Sequence, residues 1–274
     1  MVAGLAEAFS YEFMQRALLA GAFVAVTCAV LGVFMLLRGQ ALLSDGLAHI
    51  SFAGIALALL VGWAPLEMAL VAAALGAVGI QLLRERGLAK SDVAIGLFFT
   101  GGLALGIALV SHGRGITGGI STYLFGSILA VSEEDVLVVL ALAAGVILVI
   151  LALYKELLYL AFDEEAARVA GLPVRSMGYL FSILTAASVV LAARVVGVLL
   201  VGALIIVPAA TGLRLAKSFR AALALSIAFG LASVALGLWA SLALDVAAGA
   251  AIALAALVLY TLATAAYAAT RRAA

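Results

Sequence analysis

The chain has 274 residues, 68% of them hydrophobic and 11% charged, with a formal net charge of +1 and a mean hydropathy of +1.34. A soluble domain of this length carries about 25% charged residues. Composition therefore excludes one and points to an all-α polytopic membrane protein, a single transmembrane domain over residues 1–274. No polar stretch is long enough to fold separately. The lipid bilayer is the first partner, and the lack of a basic, aromatic surface excludes nucleic acid.

The opening MVAGLAEAFSYEFMQ has neither the basic start nor the short apolar core of a cleaved signal peptide. Phe9, Tyr11 and Phe13 instead suit the headgroup level. Stretches of about 20 apolar residues can cross the bilayer. Nine are predicted, at 16–37, 41–61, 64–83, 92–111, 135–154, 176–194, 196–213, 221–242 and 247–267, so the fold has eight or nine spans. Cys28, the single cysteine, lies in an apolar run and excludes an internal disulfide. Pro65 opens the third span, where proline is tolerated. Pro208 is expected to kink or break the seventh.

The second span carries an acid and an imidazole. Asp45 and His49 are four apart, so a helix puts them on one face, one turn from each other. Ionisable groups in a span are costly and suggest a function. A carboxylate and an imidazole also suit a borderline divalent metal. The pair alone is equally compatible with Ser44 or Asp45 capping the helix and His49 packed beside it.

With residues 84–91 on the inside, Lys and Arg cluster on one side of the membrane. Arg38, Arg84, Arg86, Lys90, Lys155, Arg168, Arg175, Arg214, Lys217, Arg220, Arg271 and Arg272 face the cytoplasm, and Arg16, Arg114 and Arg194 face out. The C-terminus is then cytoplasmic, and Glu7, Glu12, Glu67, Glu133, Glu134, Asp135 and Asp245 collect outside.

The outer loop 111–134 has a glycine cluster that predicts a turn, followed by a short helix over 123–131 that is too short to cross. His112 reads as a surface residue. The longest inner polar stretch is 155–175. There Asp163 is placed to cap a short helix of Glu164, Glu165, Ala166, Ala167 and Arg168. Gly171 ends it and Pro173 prevents its resumption. Such a helix serves either as a capped connector or as a docking element.

No phosphate-binding loop is present, because Thr211 and Ala216 stand where the glycines before Lys217-Ser218 would have to be. H-E-x-x-H and G-x-S-x-G with its triad are absent too. The chain therefore does not bind ATP in that way, and an intramembrane hydrolase is unsupported.

The run LLSDGLAHISFAGIALALL resembles the Asp-x-x-x-His segment of permease subunits of metal-type ABC importers, those serving zinc, manganese or iron. EEAARVAGLPV, from Glu164 to Val174, resembles the coupling motif of ABC importer permeases, with Glu165-Ala166-Ala167 and then Gly171. YLFGSILAVS and RVVGVLLVGALIIVPAAT are also similar to this family, and the resemblance runs from about residue 10 to 267. It implies a transport subunit and not an enzyme, with a fold similar to the cobalamin and siderophore importers (type II). It also implies a homodimer in a prokaryotic cytoplasmic membrane, two copies of a separate ATPase subunit and an extracytoplasmic metal-binding protein.

On that resemblance Asp45 and His49 hold the transported metal, zinc or manganese with iron as a third candidate, and no cofactor is bound permanently. Asp163, Glu164, Glu165, Ala166, Ala167 and Gly171 couple to the ATPase. Gly46 follows Asp45 where many relatives have alanine, and is expected to loosen the helix there. The alternative is a secondary metal transporter driven by an ion gradient.

Overall fold

The structure is a computed structural model that describes residues 12–113, 117–126 and 133–273. Glu7, Phe9, Tyr11, Arg114 and the second half of the predicted 123–131 helix lie outside these residues. Regular structure among the described residues is helical. In chain order it comprises α1 (Glu12–Leu37), α2 (Leu43–Val61), α3 (Pro65–Glu85), α4 (Ser91–His112), α5 (Thr117–Phe125) and α6 (Glu133–Ala152). Then come α7 (Tyr154–Phe162), α8 (Glu164–Val169), α9 (Val174–Val196), a single 3-10 turn (Val198–Leu200), α10 (Val201–Leu215), α11 (Phe219–Leu244) and α12 (Ala248–Ala273).

Eight of these are long and apolar enough to cross a bilayer: α1 to α4 and α9 to α12, with α10 counted together with its 3-10 turn. A ninth candidate is the pair α6 and α7, whose axes meet at 72°. The predicted count of eight or nine spans holds.

Lipid tails are as apolar as leucine, so the bundle is held by close packing more than by water exclusion. α1 and α9 are the most buried spans and α4 is the least. Phe34, Met35, Leu31, Phe181, Leu191 and Leu204 are fully buried between α1, α9 and α10. α2 packs on α4 and α3 through small residues. A Cβ on Gly102 would meet the backbone of His49 and Ile50 at 2.8–2.9 Å, and one on Gly54 would meet Met68 and Ala72.

Several local expectations need correction. Of the predicted outer helix, residues 123–125 belong to α5, which begins earlier, at Thr117. It runs through Gly118 and Gly119, which read as a turn, and stops at Gly126, whose φ is +73°. Gly126 lies tight against the chain break at Gly197. That break, with φ +85° at Gly197, separates α9 from α10, whereas Pro208 is buried inside a continuous helix.

The stretch 155–162, read as the start of a polar loop, is the amphipathic helix α7, which buries Leu157, Leu160 and Ala161. α9 begins at Val174 directly after Pro173, so Pro173 stops one helix and leads into the next. α2 continues unbroken through Gly46, because its missing Cβ makes room for Ile95 of α4, 3.1 Å from where that atom would sit.

Candidate metal path and coupling segment

Asp45 and His49 both lie on α2 and are half-buried. Neither residue caps the helix. The N-cap is Leu42, with no side-chain cap, and the Ser44 hydroxyl donates to the Ala41 carbonyl at 3.2 Å. Asp45 instead sits in the first turn of α2, where the helix dipole favours an anion.

α10 also begins beside Asp45. A Cβ on Gly202, the second residue of α10, would collide with the Asp45 carboxylate, so the missing side chain forms the socket for this acid. The break at Gly197 is what allows a helix start to reach it. Such interrupted spans present polar helix ends to charged groups inside a membrane.

One turn further along α2, the His49 ring packs edge-on against Phe99 of α4, with centroids 4.2 Å apart and planes at 79°. Its Nδ1 is buried and has no hydrogen-bond partner among the described residues. Among the described residues, no group of three or more His, Cys, Asp and Glu side chains is placed to hold a metal. One copy therefore offers one carboxylate and one imidazole. Phe99, Gly102 and Gly202 escaped the sequence reading, because each acts by packing against the pair and has no donor chemistry of its own.

The second feature is the short helix α8. As predicted, Asp163 caps it, accepting from Ala166 N–H at 2.9 Å. Its end closes with two bonds, Gly171 N–H to the Arg168 carbonyl and Leu172 N–H to the Ala167 carbonyl, both 3.1 Å. This is the Schellman arrangement, which calls for the left-handed φ of +83° at Gly171. Ala167, Leu160 and Val174 form a small separate core beneath it, joined by Leu172 and Met177. Glu164, Glu165 and Arg168 face outward. Val169, 90% exposed, and Phe162, 65% exposed, flank them as bare apolar side chains.

α8 rests on the start of α9, and α9 is tied to α3. Arg175 Nε donates to Glu85 Oε2 of α3 at 2.6 Å. On the same end, the Gln40 carboxamide oxygen accepts from both Arg84 Nη atoms at 2.6 and 3.0 Å, which links α3 to the residues that precede α2. Arg38, stacked 4.8 Å over the Phe181 ring, belongs to this cluster, and burial lowers its guanidinium to about 10. It stays cationic at neutral pH. The opposite end of the bundle holds Arg16 paired with Glu12 and Glu133. Arg38, Arg84 and Arg175 thus share one end, and Arg16, Glu12 and Glu133 the other, as the sequence reading groups these six.

A bundle of apolar spans, an acid–imidazole pair on one of them and a short capped helix between two others make up a polytopic membrane domain. The comparisons carry the assignment further. The chain belongs to the ABC 3 transport family, whose model matches residues 10–267. It is 37% identical over 254 residues to the manganese transport system membrane protein MntC of Halalkalibacterium halodurans, covering 93% of this chain and 87% of that one.

Among solved structures it is similar to PsaBC from Streptococcus pneumoniae in complex with Fab, with a TM-score of 0.86, 33% identity and coverage of 96% and 95%. An inward-facing metal-chelate type ABC transporter matches in fold alone, with a TM-score of 0.69, 20% identity and coverage of 92% and 85%. The resemblance to metal-type importer permeases is borne out, and the chain is a multi-pass transport subunit.

Proposed function

We propose that this chain is the membrane permease of an ATP-driven importer of a divalent transition metal, with manganese first and zinc second, working as a homodimer. The observation that carries the reading is the placement of Asp45 and His49. They lie on one helix inside the membrane, the acid in a socket at Gly202 and the imidazole against Phe99. A carboxylate oxygen and an imidazole nitrogen suit manganese, ferrous iron and zinc alike. Manganese takes precedence from the name of MntC.

Two ligands do not complete a metal shell, and two-fold symmetry doubles them to four. The exposure of α4 favours such a partner copy. Gly96, Thr100, Ala104 and Ala108 recur every fourth residue and are exposed, and small residues at that spacing let two membrane helices approach closely. Cysteine at Ala104 is therefore expected to cross-link two copies in membranes under mild oxidation. Monomer at all oxidant concentrations would remove the symmetric site.

α8 is the docking element for a separate ATPase subunit, of which the dimer engages two. Its outward acids and bare Val169 and Phe162 offer charge and apolar area on a rigid, capped support. Docking movements reach the metal pair through Arg175–Glu85 into α3, and from α3 into α2. The basic end of the bundle, and with it the C-terminus, is cytoplasmic by the positive-inside rule. An extracytoplasmic binding protein delivers the ion at the other end. An ATPase subunit should co-purify with this chain, and proteoliposomes holding both should take up metal when ATP is added. Metal accumulation by this chain alone would overturn the reading.

A further inference from the structure

Beside α8 lies a cavity of about 810 Å³ between the end of α3 and the starts of α4 and α9. Five cationic side chains line it: Arg84, Arg86, Lys90, Arg168 and Arg175. Two carboxylates answer them. Glu85 is taken by Arg175 at 2.6 Å, and Glu164 lies 3.7 Å from Arg168. Arg84 donates to the neutral Gln81 and Gln40 amides, and among the described residues Arg86 and Lys90 have no carboxylate within ion-pair distance. The net charge facing the cavity is strongly positive.

Two further features point to an anion. Ser91 also lines the wall, and its hydroxyl oxygen, shielded from solvent, has no hydrogen-bond partner among the described residues. It stands in the first turn of α4, a helix of 22 residues whose N-cap, Lys90, supplies no side-chain cap. A phosphate oxygen accepts well from arginine forks, a hydroxyl and helix-terminal N–H groups.

The surroundings favour a lipid phosphate over a free one. Leu88, 69% exposed, and Val93, 55% exposed, flank Lys90 in sequence. Above them α4 presents the apolar Leu97 and Leu105. A phosphate seated in the cavity would leave room for acyl chains along this face. Basic pockets between transmembrane helices on the cytoplasmic side are suited to anionic headgroups.

We propose that this cavity binds the phosphate of an anionic phospholipid of the inner leaflet, bridging the α3–α4 turn to the base of α8. The inference takes from the proposed function only the orientation of the chain. Bound lipid would bridge Arg168 of α8 and Arg86 at the end of α3, beside the Arg175–Glu85 pair that joins α9 to α3.

The test is native mass spectrometry of the full-length chain in detergent, titrated with dioctanoyl phosphatidylglycerol, dioctanoyl phosphatidylcholine or glycerol 3-phosphate. Wild type should bind the anionic lipid in preference to the choline lipid. Arg86→Gln/Lys90→Gln, two exposed positions outside the metal and docking residues, should weaken that binding by about 10- to 30-fold. Glycerol 3-phosphate at equal concentration should fail to displace the lipid. Equal binding of the two lipids, or an unchanged double variant, would overturn the proposal. Full displacement by glycerol 3-phosphate would assign the cavity to soluble phosphates instead and overturn the lipid source. Loss of ATPase association in the double variant, together with displacement of lipid by added ATPase, would assign it to an acidic ATPase surface and overturn it too. None of these readouts involves metal or transport, so a failure here leaves the transport reading untouched.

Discussion

Replacement of Asp45 by alanine is expected to bring metal uptake to background while the chain still folds and still holds its ATPase. Among the described residues no further His, Cys, Asp or Glu joins Asp45 and His49 in a metal-sized group, so on the proposed reading this carboxylate carries the negative charge of the site. Removing a group that merely supports a metal ligand typically costs about 10- to 100-fold in affinity, and deleting the charged ligand itself should cost more. The fold should tolerate the change, because the side chain is half-buried and faces Gly202 without bonding to α2 as a cap.

Asp45→Asn separates charge from packing, since it keeps the volume in the Gly202 socket, and uptake should be lost equally. Gly202→Ala makes the converse change. It leaves the carboxylate and crowds it, with a strain of about 1–3 kcal/mol, so uptake should fall although every ligand is still present. Uptake by Asp45→Ala at the wild-type rate, measured in proteoliposomes with the ATPase present, would remove this residue from the pathway.

The second large effect is expected at Val169. Val169→Asp should release the ATPase while leaving the bundle and its thermal stability intact. The side chain is 90% exposed, so nothing within this chain depends on it. Burying a valine in an interface contributes about 1.5–3 kcal/mol, and a carboxylate put there would be desolvated without a partner. Association should weaken by at least about tenfold, as a pull-down or an ATPase titration would read. Asp163→Ala tests the support and not the contact. Loss of this cap costs about 1 kcal/mol, so α8 should exchange its amide hydrogens faster and dock less tightly. If Val169→Asp bound the ATPase as well as wild type does, the docking surface would lie elsewhere.

Much of this was legible in the sequence because the signals are local. A run of twenty apolar residues, an acid four residues before a histidine, and Asp163 and Gly171 bounding a short helix each carry their own physics. What was not legible depends on residues far apart in the chain. Gly202 makes the socket for Asp45, and Phe99 the wall for His49, yet neither carries a donor that would mark it.

The misread elements have the same origin. Gly46 and the Gly118–Gly119 pair looked like helix breakers, but in a membrane bundle a missing Cβ more often marks where another helix approaches. Gly46 does this for Ile95. Pro208 looked like the break in the seventh span, but the chain turns instead at Gly197, where the positive φ and the contact with Gly126 are compatible only with glycine. α7 was hidden because its half-buried pattern reads as a polar loop when no partner surface is known.

The measurement that tests the central claim most directly is metal uptake into proteoliposomes holding this chain with its ATPase and its metal-binding protein. Manganese, zinc and iron would be supplied in parallel, with ATP or with a pH gradient as the only energy source. The account predicts uptake that requires ATP, ignores the gradient, favours one metal and disappears in both Asp45→Ala and His49→Ala. Uptake that follows the pH gradient without ATP would contradict it, and would make this chain a secondary transporter whose α8 is only a connector.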